Sequence, residues 1–129
     1  MRKSPAEAGL FCKGGVGVEL RIFTLEQVYS GDTYEIAHSG HYTHWAPDSL
    51  YFPDDIDTFE ILEPHLNAVF GDFNWYGPQQ VTLEQWRQVE RRCKILNLDN
   101  PTVPAFFETI RQWLSPQDLQ AGYFWILGI

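Results

Sequence analysis

Cysteine occurs only twice in the 129 residues, as Cys12 and Cys93, at no metal-site spacing. That excludes a disulfide-stapled scaffold and a cysteine-based zinc module, and two reduced thiols are expected. No apolar run approaches the ~20 residues a membrane helix needs, the most apolar segment being Tyr123 to Leu127. Met1-Arg2-Lys3-Ser4-Pro5 opens with positive charge, but Glu7 follows and no apolar stretch comes after it. The expectation is a soluble, cytoplasmic chain with neither secretory signal nor membrane contact. A phosphate loop is also missing: Lys13-Gly14-Gly15-Val16-Gly17 precedes a strand pattern instead of following one and lacks the Gly-Lys-Ser/Thr ending.

The most informative absence is that of basic residues. Between positions 24 and 80 there is no Lys or Arg, while ten acids fall there: Glu26, Asp32, Glu35, Asp48, Asp54, Asp55, Asp57, Glu60, Glu63 and Asp72. The formal net charge of −8 is therefore concentrated, since residues 1–23 carry +2 and residues 81–129 balance. Such a stretch forgoes local ion pairing and carries self-repulsion that something should offset. Three offsets are open. The basic residues Arg87, Arg91, Arg92 and Lys94 could pair with it in space, a cationic partner could bind it, or a metal ion could sit in it. Nucleic acid is the partner this distribution argues against, because phosphates require a basic footprint.

What is present is the pattern of one α+β domain. Residues 1–10 lack periodicity and read as a flexible tail, leaving 11–129 as a single domain. Strands are expected near 16–23, 33–37, 49–52, 73–76 and 123–127, forming a small, mostly antiparallel sheet. The first alternates Val16, Val18, Leu20 and Ile22 with Gly17, Glu19, Arg21 and Phe23, and the last is apolar on both faces, which predicts a central, doubly covered strand. Three helices are expected at 57–70, 83–96 and 103–114. Asp57 is placed as the cap of the first, with Pro64 kinking or splitting it. Thr82 and Gln85 form a capping box for the second, whose apolar stripe reads Leu83, Trp86, Val89, Cys93 and Leu96.

The chemistry-bearing residues are loosely arranged. His38, His41 and His44 recur every three positions, with Asp54, Asp55 and Asp57 downstream, the ligand types of a Zn²⁺ or Fe²⁺ site. Gly40 argues against the helix that would align them, so no metal and no cofactor are expected. A small metal-dependent enzyme built on this His/Asp cluster is the alternative. The three aspartates are explained by the positive end of the following helix. No nucleophile stands beside a base at a recognisable spacing, so catalytic residues are not assigned.

With five Trp, six Tyr and nine Phe, the chain carries either an aromatic core or rings half-exposed for binding. Several of them interleave with the acids. The candidate partner surface is Trp45, Asp48, Tyr51, Asp54, Asp55, Asp72, Trp75 and Tyr76, aromatic anchors in an acidic rim. In size, acidity, α+β alternation and this aromatic-rich acidic middle, the chain resembles the small immunity proteins of bacterial toxin systems. The resemblance implies a non-catalytic inhibitor that masks a basic toxin or nuclease domain, and it transfers no residues. A constitutively dimeric adaptor is a further reading, with a homodimer formed through the aromatics.

Overall fold

The computed structural model describes residues 18–28, 32–40 and 44–128. Four strands form one antiparallel sheet: β1 (Thr33–Ala37), β2 (Leu50–Pro53), β3 (Gln79–Thr82) and β4 (Tyr123–Leu127), in the spatial order β2-β1-β4-β3. Four helices accompany it: α1 (Ile56–Phe70), α2 (Leu83–Leu96), α3 (Thr102–Trp113) and α4 (Pro116–Ala121), with a 3-10 turn at Leu25–Gln27. The architecture is α+β. No described helix is long and apolar enough to cross a membrane.

Strand pairing sorts the side chains by face. Tyr34 opposes Phe52, Ile36 opposes both Leu50 and Ile126, and Val81 opposes Phe124. These residues, together with Leu62 and Leu66 of α1, Val89 of α2, and Phe106, Phe107 and Ile110 of α3, make one buried cluster. Each large apolar side chain so buried contributes about 1.5–3 kcal/mol against exposure. The other face pairs Glu35 with Tyr51 and Leu127, and Gln80 with Trp125. The expected central strand is indeed β4. Its second face is only partly covered, because Leu127 is buried there while Tyr123 and Trp125 stay half-exposed.

Two expected strands do not form among the described residues. The 16–23 segment forms no ladder among its described residues, and only Phe23 bridges Tyr51, with N–O distances of 2.7 and 2.8 Å. Its backbone is engaged elsewhere: Leu20 N donates to Thr102 Oγ1 at 3.0 Å, and Val18 O accepts from Asn100 Nδ2 at 2.8 Å. Residues 16 and 17, like the tail at 1–10, lie outside the described residues. The segment 73–76 alternates as a strand should, with Phe73 buried and Asn74 exposed, yet it is a turn. Asn74 Oδ1 accepts from the backbone of Tyr76 and Gly77, each at 3.2 Å, and this side-chain capture bends the chain before it can pair. The strand forms later, at Gln79–Thr82, from residues of little apolar character.

The helices were more legible. Thr82 and Gln85 make the expected capping box, and α2 spans the expected residues. At α1 the cap is Asp55, whose Oδ1 accepts from Thr58 N at 2.9 Å, and not Asp57, which lies in the first turn. The helix runs through Pro64 as one element, and Pro64 is exposed. Leu96 leaves the apolar stripe assigned to it and faces solvent. The fourth helix was missed, although Ser115-Pro116-Gln117-Asp118 is a capping box with Asp in the reciprocal place.

Candidate functional site

Glu35 lies in the middle of β1 on the far face of the sheet and is only 4% exposed. A buried carboxylate needs donors, and here a loop supplies them: Trp45 N at 2.8 Å and Ala46 N at 3.1 Å. Opposite it, the Tyr51 hydroxyl donates to Ala46 O at 2.6 Å and lies 3.3 Å from Glu35 Oε2. Burial first, and the Glu35 carboxylate next, push the Tyr51 phenol far above its ordinary range, so it stays a donor. Glu35 and Tyr51 thus clamp residues 45 and 46 from below.

The clamp holds Trp45 in an unusual state. Its φ is 62°, the left-handed region, which costs a bulky non-glycine residue about 1–2 kcal/mol. The indole stacks on the Tyr51 ring with centroids 5.8 Å apart and planes 13° from parallel, yet it remains 47% exposed. The charge-assisted hydrogen bonds that Trp45 N and Ala46 N donate to Glu35 offset the strain. The result is a large ring fixed in one orientation and open to solvent. His44 stands at the margin, its Nδ1 3.9 Å from Glu35 Oε1.

A second carboxylate organises the other end of β1. Asp118 is fully buried, and its Oδ1 accepts from Ser39 N and Ser39 Oγ, both at 2.7 Å. Its Oδ2 lies 2.6 Å from His38 Nδ1 and accepts from Ser115 N at 3.0 Å. Burial opposes its charge, but the bonds from Ser39, His38 and Ser115 outweigh burial and hold the carboxyl down at about 2. The His38 ring stacks on Trp113 at 4.0 Å, and Trp113 Nε1 donates to Asp48 O at 2.7 Å. Although Ser, His and Asp meet here, the serine proton goes to the aspartate and not to the imidazole. That is an anchoring geometry, not that of an activated nucleophile. Cys93 is likewise no nucleophile, being fully buried with its thiol pushed up to about 12 by that burial.

The histidines are dispersed. His38 engages Asp118, His44 approaches Glu35, and His65 is buried in α1, where burial and then Arg92 hold it below its usual range. His41 lies outside the described residues. Among the described residues, no group of three His, Cys, Asp or Glu side chains could hold a metal ion.

The acidic residues are not neutralised by the basic helix. Among the described residues, no ion pair joins Arg87, Arg91, Arg92 or Lys94 to the acids of 24–80; Arg87 pairs with Glu84, and Lys94 with Glu90. Among the described residues, Arg21 does reach the stretch, 2.5 Å from Asp55. Asp54 is pushed up by burial and by the neighbouring Asp32 and Asp55 carboxylates.

Of the eight residues expected to face a partner, five are exposed (Trp45, Asp48, Asp54, Asp72 and Tyr76), Asp55 and Trp75 are half-buried, and Tyr51 is fully buried. Trp45 and Asp48 precede β2, Asp54 and Asp55 follow it, and all but Asp55, which is half-buried, are exposed. Tyr51 is fully buried between them and acts only through Trp45 above it. Trp75 is half-buried against Tyr34, Phe59 and Phe73, with centroids at 5.3, 4.9 and 4.8 Å, whereas Asp72 and Tyr76 are exposed. Glu35, Ser39 and Asp118 were missed. A lone acid inside the apolar strand Thr33–Ala37 was the available signal for Glu35.

No family model, curated protein or solved structure matches this chain. The geometry alone carries the functional argument.

Proposed function

We propose that the chain is a non-catalytic binding protein of the immunity type, which seats a basic partner protein on the Trp45 loop. The observation that carries this reading is the state of Trp45: strained backbone, exposed ring, and a buried carboxylate that holds both in place. Backbone strain that the surroundings maintain is characteristic of ligand clamps, and an oriented aromatic loses little freedom on binding. Asp48, exposed three residues on, and the other exposed acids of the 24–80 stretch supply a field that would steer a cationic partner.

The test is capture of the partner from the native host, followed by association kinetics at two salt concentrations. Trp45→Ala should raise the off-rate at least tenfold, about 1.4 kcal/mol, as removal of an anchor does. Asp48→Lys should slow association, with a smaller effect at high salt, since exposed charges act over a Debye length of about 8 Å. An acidic partner, or one that binds Trp45→Ala unchanged, would sink the reading.

A further inference from the structure

The face of the sheet that carries Trp45 also holds a cavity. Along β1 and β2 the cross-strand pair of Thr33 with Pro53 lies two residues from the pair of Glu35 with Tyr51, so both pairs share one face, about 7 Å apart. Glu35 and Tyr51 hold the Trp45 loop and its ring, whereas Thr33 and Pro53 line a cavity of about 210 Å³. Two further apolar walls come from the segment before β1. Phe23 exchanges two backbone hydrogen bonds with Tyr51 at the edge of β2, and Val28 follows the 3-10 turn.

The polar lining is acidic. Asp32 and Asp54 both belong to it, and Asp54 N donates to Asp32 O at 3.0 Å, which holds the two residues side by side where β1 begins and β2 ends. Like charges placed opposite each other repel, and the Asp54 carboxyl is pushed up by burial and then by Asp32 and Asp55. Arg21 lines the cavity too, but its guanidinium is bound to Asp55 Oδ2 at 2.5 Å, and among the described residues no ion pair reaches Asp54. Thr33, the chain neighbour of Asp32, is only 9% exposed, and its buried Oγ1 finds no hydrogen-bond partner among the described residues. A buried hydroxyl without a partner is uncommon in folded proteins, and a donor from a bound group would complete it.

We infer that this cavity is a socket for one arginine side chain of the basic partner, with the guanidinium between Asp32, Asp54 and the Thr33 hydroxyl and the stem along Phe23, Val28 and Pro53. The lining selects that guest. Two carboxylates and a hydroxyl oxygen present acceptors from several directions, which a guanidinium with five N–H donors can meet at once. A lysine ammonium is more strongly hydrated, and a neutral side chain forgoes the charge. The socket rests on the reading of a basic partner seated on the Trp45 loop, and it adds a charged subsite one strand repeat from the indole.

The probes are acetyl-arginine amide and its neutral isostere acetyl-citrulline amide, titrated into the full chain and followed by backbone amide NMR shifts. The arginine probe should bind with millimolar affinity and shift Thr33 and Asp54. The citrulline probe should bind about tenfold more weakly, as should the arginine probe on Asp32→Asn or Asp54→Asn. Thr33→Val should weaken the arginine probe about threefold while thermal unfolding stays at or above that of the parent, because a hydroxyl without a partner adds nothing to the fold. Equal binding of the two probes, no shifts at Thr33 and Asp54, or a Thr33→Val variant that binds like the parent would overturn the socket. So would binding seen only after deletion of residues 1–17, which would give the cavity to the chain's own Arg2, Lys3 or Lys13. Kinetics with the captured partner separate the socket from the Trp45 reading. An off-rate raised by Trp45→Ala but untouched by Asp54→Asn removes the socket alone, whereas an arginine probe that binds while Trp45→Ala leaves the partner's kinetics unchanged removes the Trp45 reading and keeps the cavity as a guanidinium site.

Discussion

His38 Nδ1 lies 2.6 Å from Asp118 Oδ2, joining the end of β1 to the first turn of α4 through a carboxylate that also caps that helix. The same carboxylate binds Ser39 twice and accepts from Ser115 N, so three residues in two chain segments depend on one side chain. Asp118→Ala should cost about 3–5 kcal/mol in urea unfolding, because every donor around it is left unpaired.

The same group sets an acid limit. Its folded pKa of about 2 lies below the unfolded value near 3.9, so its contribution is present above about pH 4 and is lost as pH falls toward 2. Asp55, held low through its bonds to Thr58 and Arg21 despite burial, acts in the same direction. Urea titrations between pH 5 and pH 2 should show a loss on the order of 2 kcal/mol that is largely missing in Asp118→Asn.

Glu35→Ala should release the Trp45 loop while the sheet remains. Two part-buried amides lose their acceptor, a destabilisation of about 1–3 kcal/mol. Hydrogen exchange at Trp45 and Ala46 should accelerate far more than at Ile36 or Ile126. Equal acceleration at all four would place the effect in the core instead.

At Trp45 the left-handed backbone favours glycine. Trp45→Gly should therefore be more stable than Trp45→Ala by about 1 kcal/mol, although it removes one atom more. Comparison of the two urea midpoints checks this without any partner present.

Titration with Zn²⁺, Mn²⁺ or Fe²⁺ should give only weak heats. His38 and His44 are directed to different carboxylates, and a tight site requires ligands fixed around one point. A stoichiometric sub-micromolar site abolished by His41→Ala would favour the metal-enzyme reading.

Legibility followed the range of the interactions. The α2 capping box and the apolar strand at 123–127 were readable because each is decided by adjacent residues or by one period. The strand expected at 73–76 failed because Asn74 captures the backbone locally, and its alternation of Phe73 with Trp75 mimics a pleat. The clamp under Trp45 was invisible for another reason. Glu35 meets residue 45 only through a loop, and no spacing in the chain specifies where a buried carboxylate will find its donors.

Removal of β4 by truncation after Gly122 should abolish cooperative unfolding. The strand bonds to β1 on one side and β3 on the other, so its loss leaves two fragments of sheet with the buried Phe124 and Ile126 positions empty. A truncated chain with a sharp thermal transition would refute this.

The sheet order also bears on how quickly the chain can find its fold. β1 meets β2 through a short connection, but Glu35 pairs with Leu127 across most of the sequence, and no hydrogen bond closes the sheet until that distant pairing is made. Loop-closure entropy must be met before those contacts repay it, which slows folding relative to a chain whose sheet closes through local pairings. Until β4 docks, β1 and β3 lack the strand that lies between them and the core lacks Phe124 and Ile126, which is the kind of exposure that favours aggregation during folding.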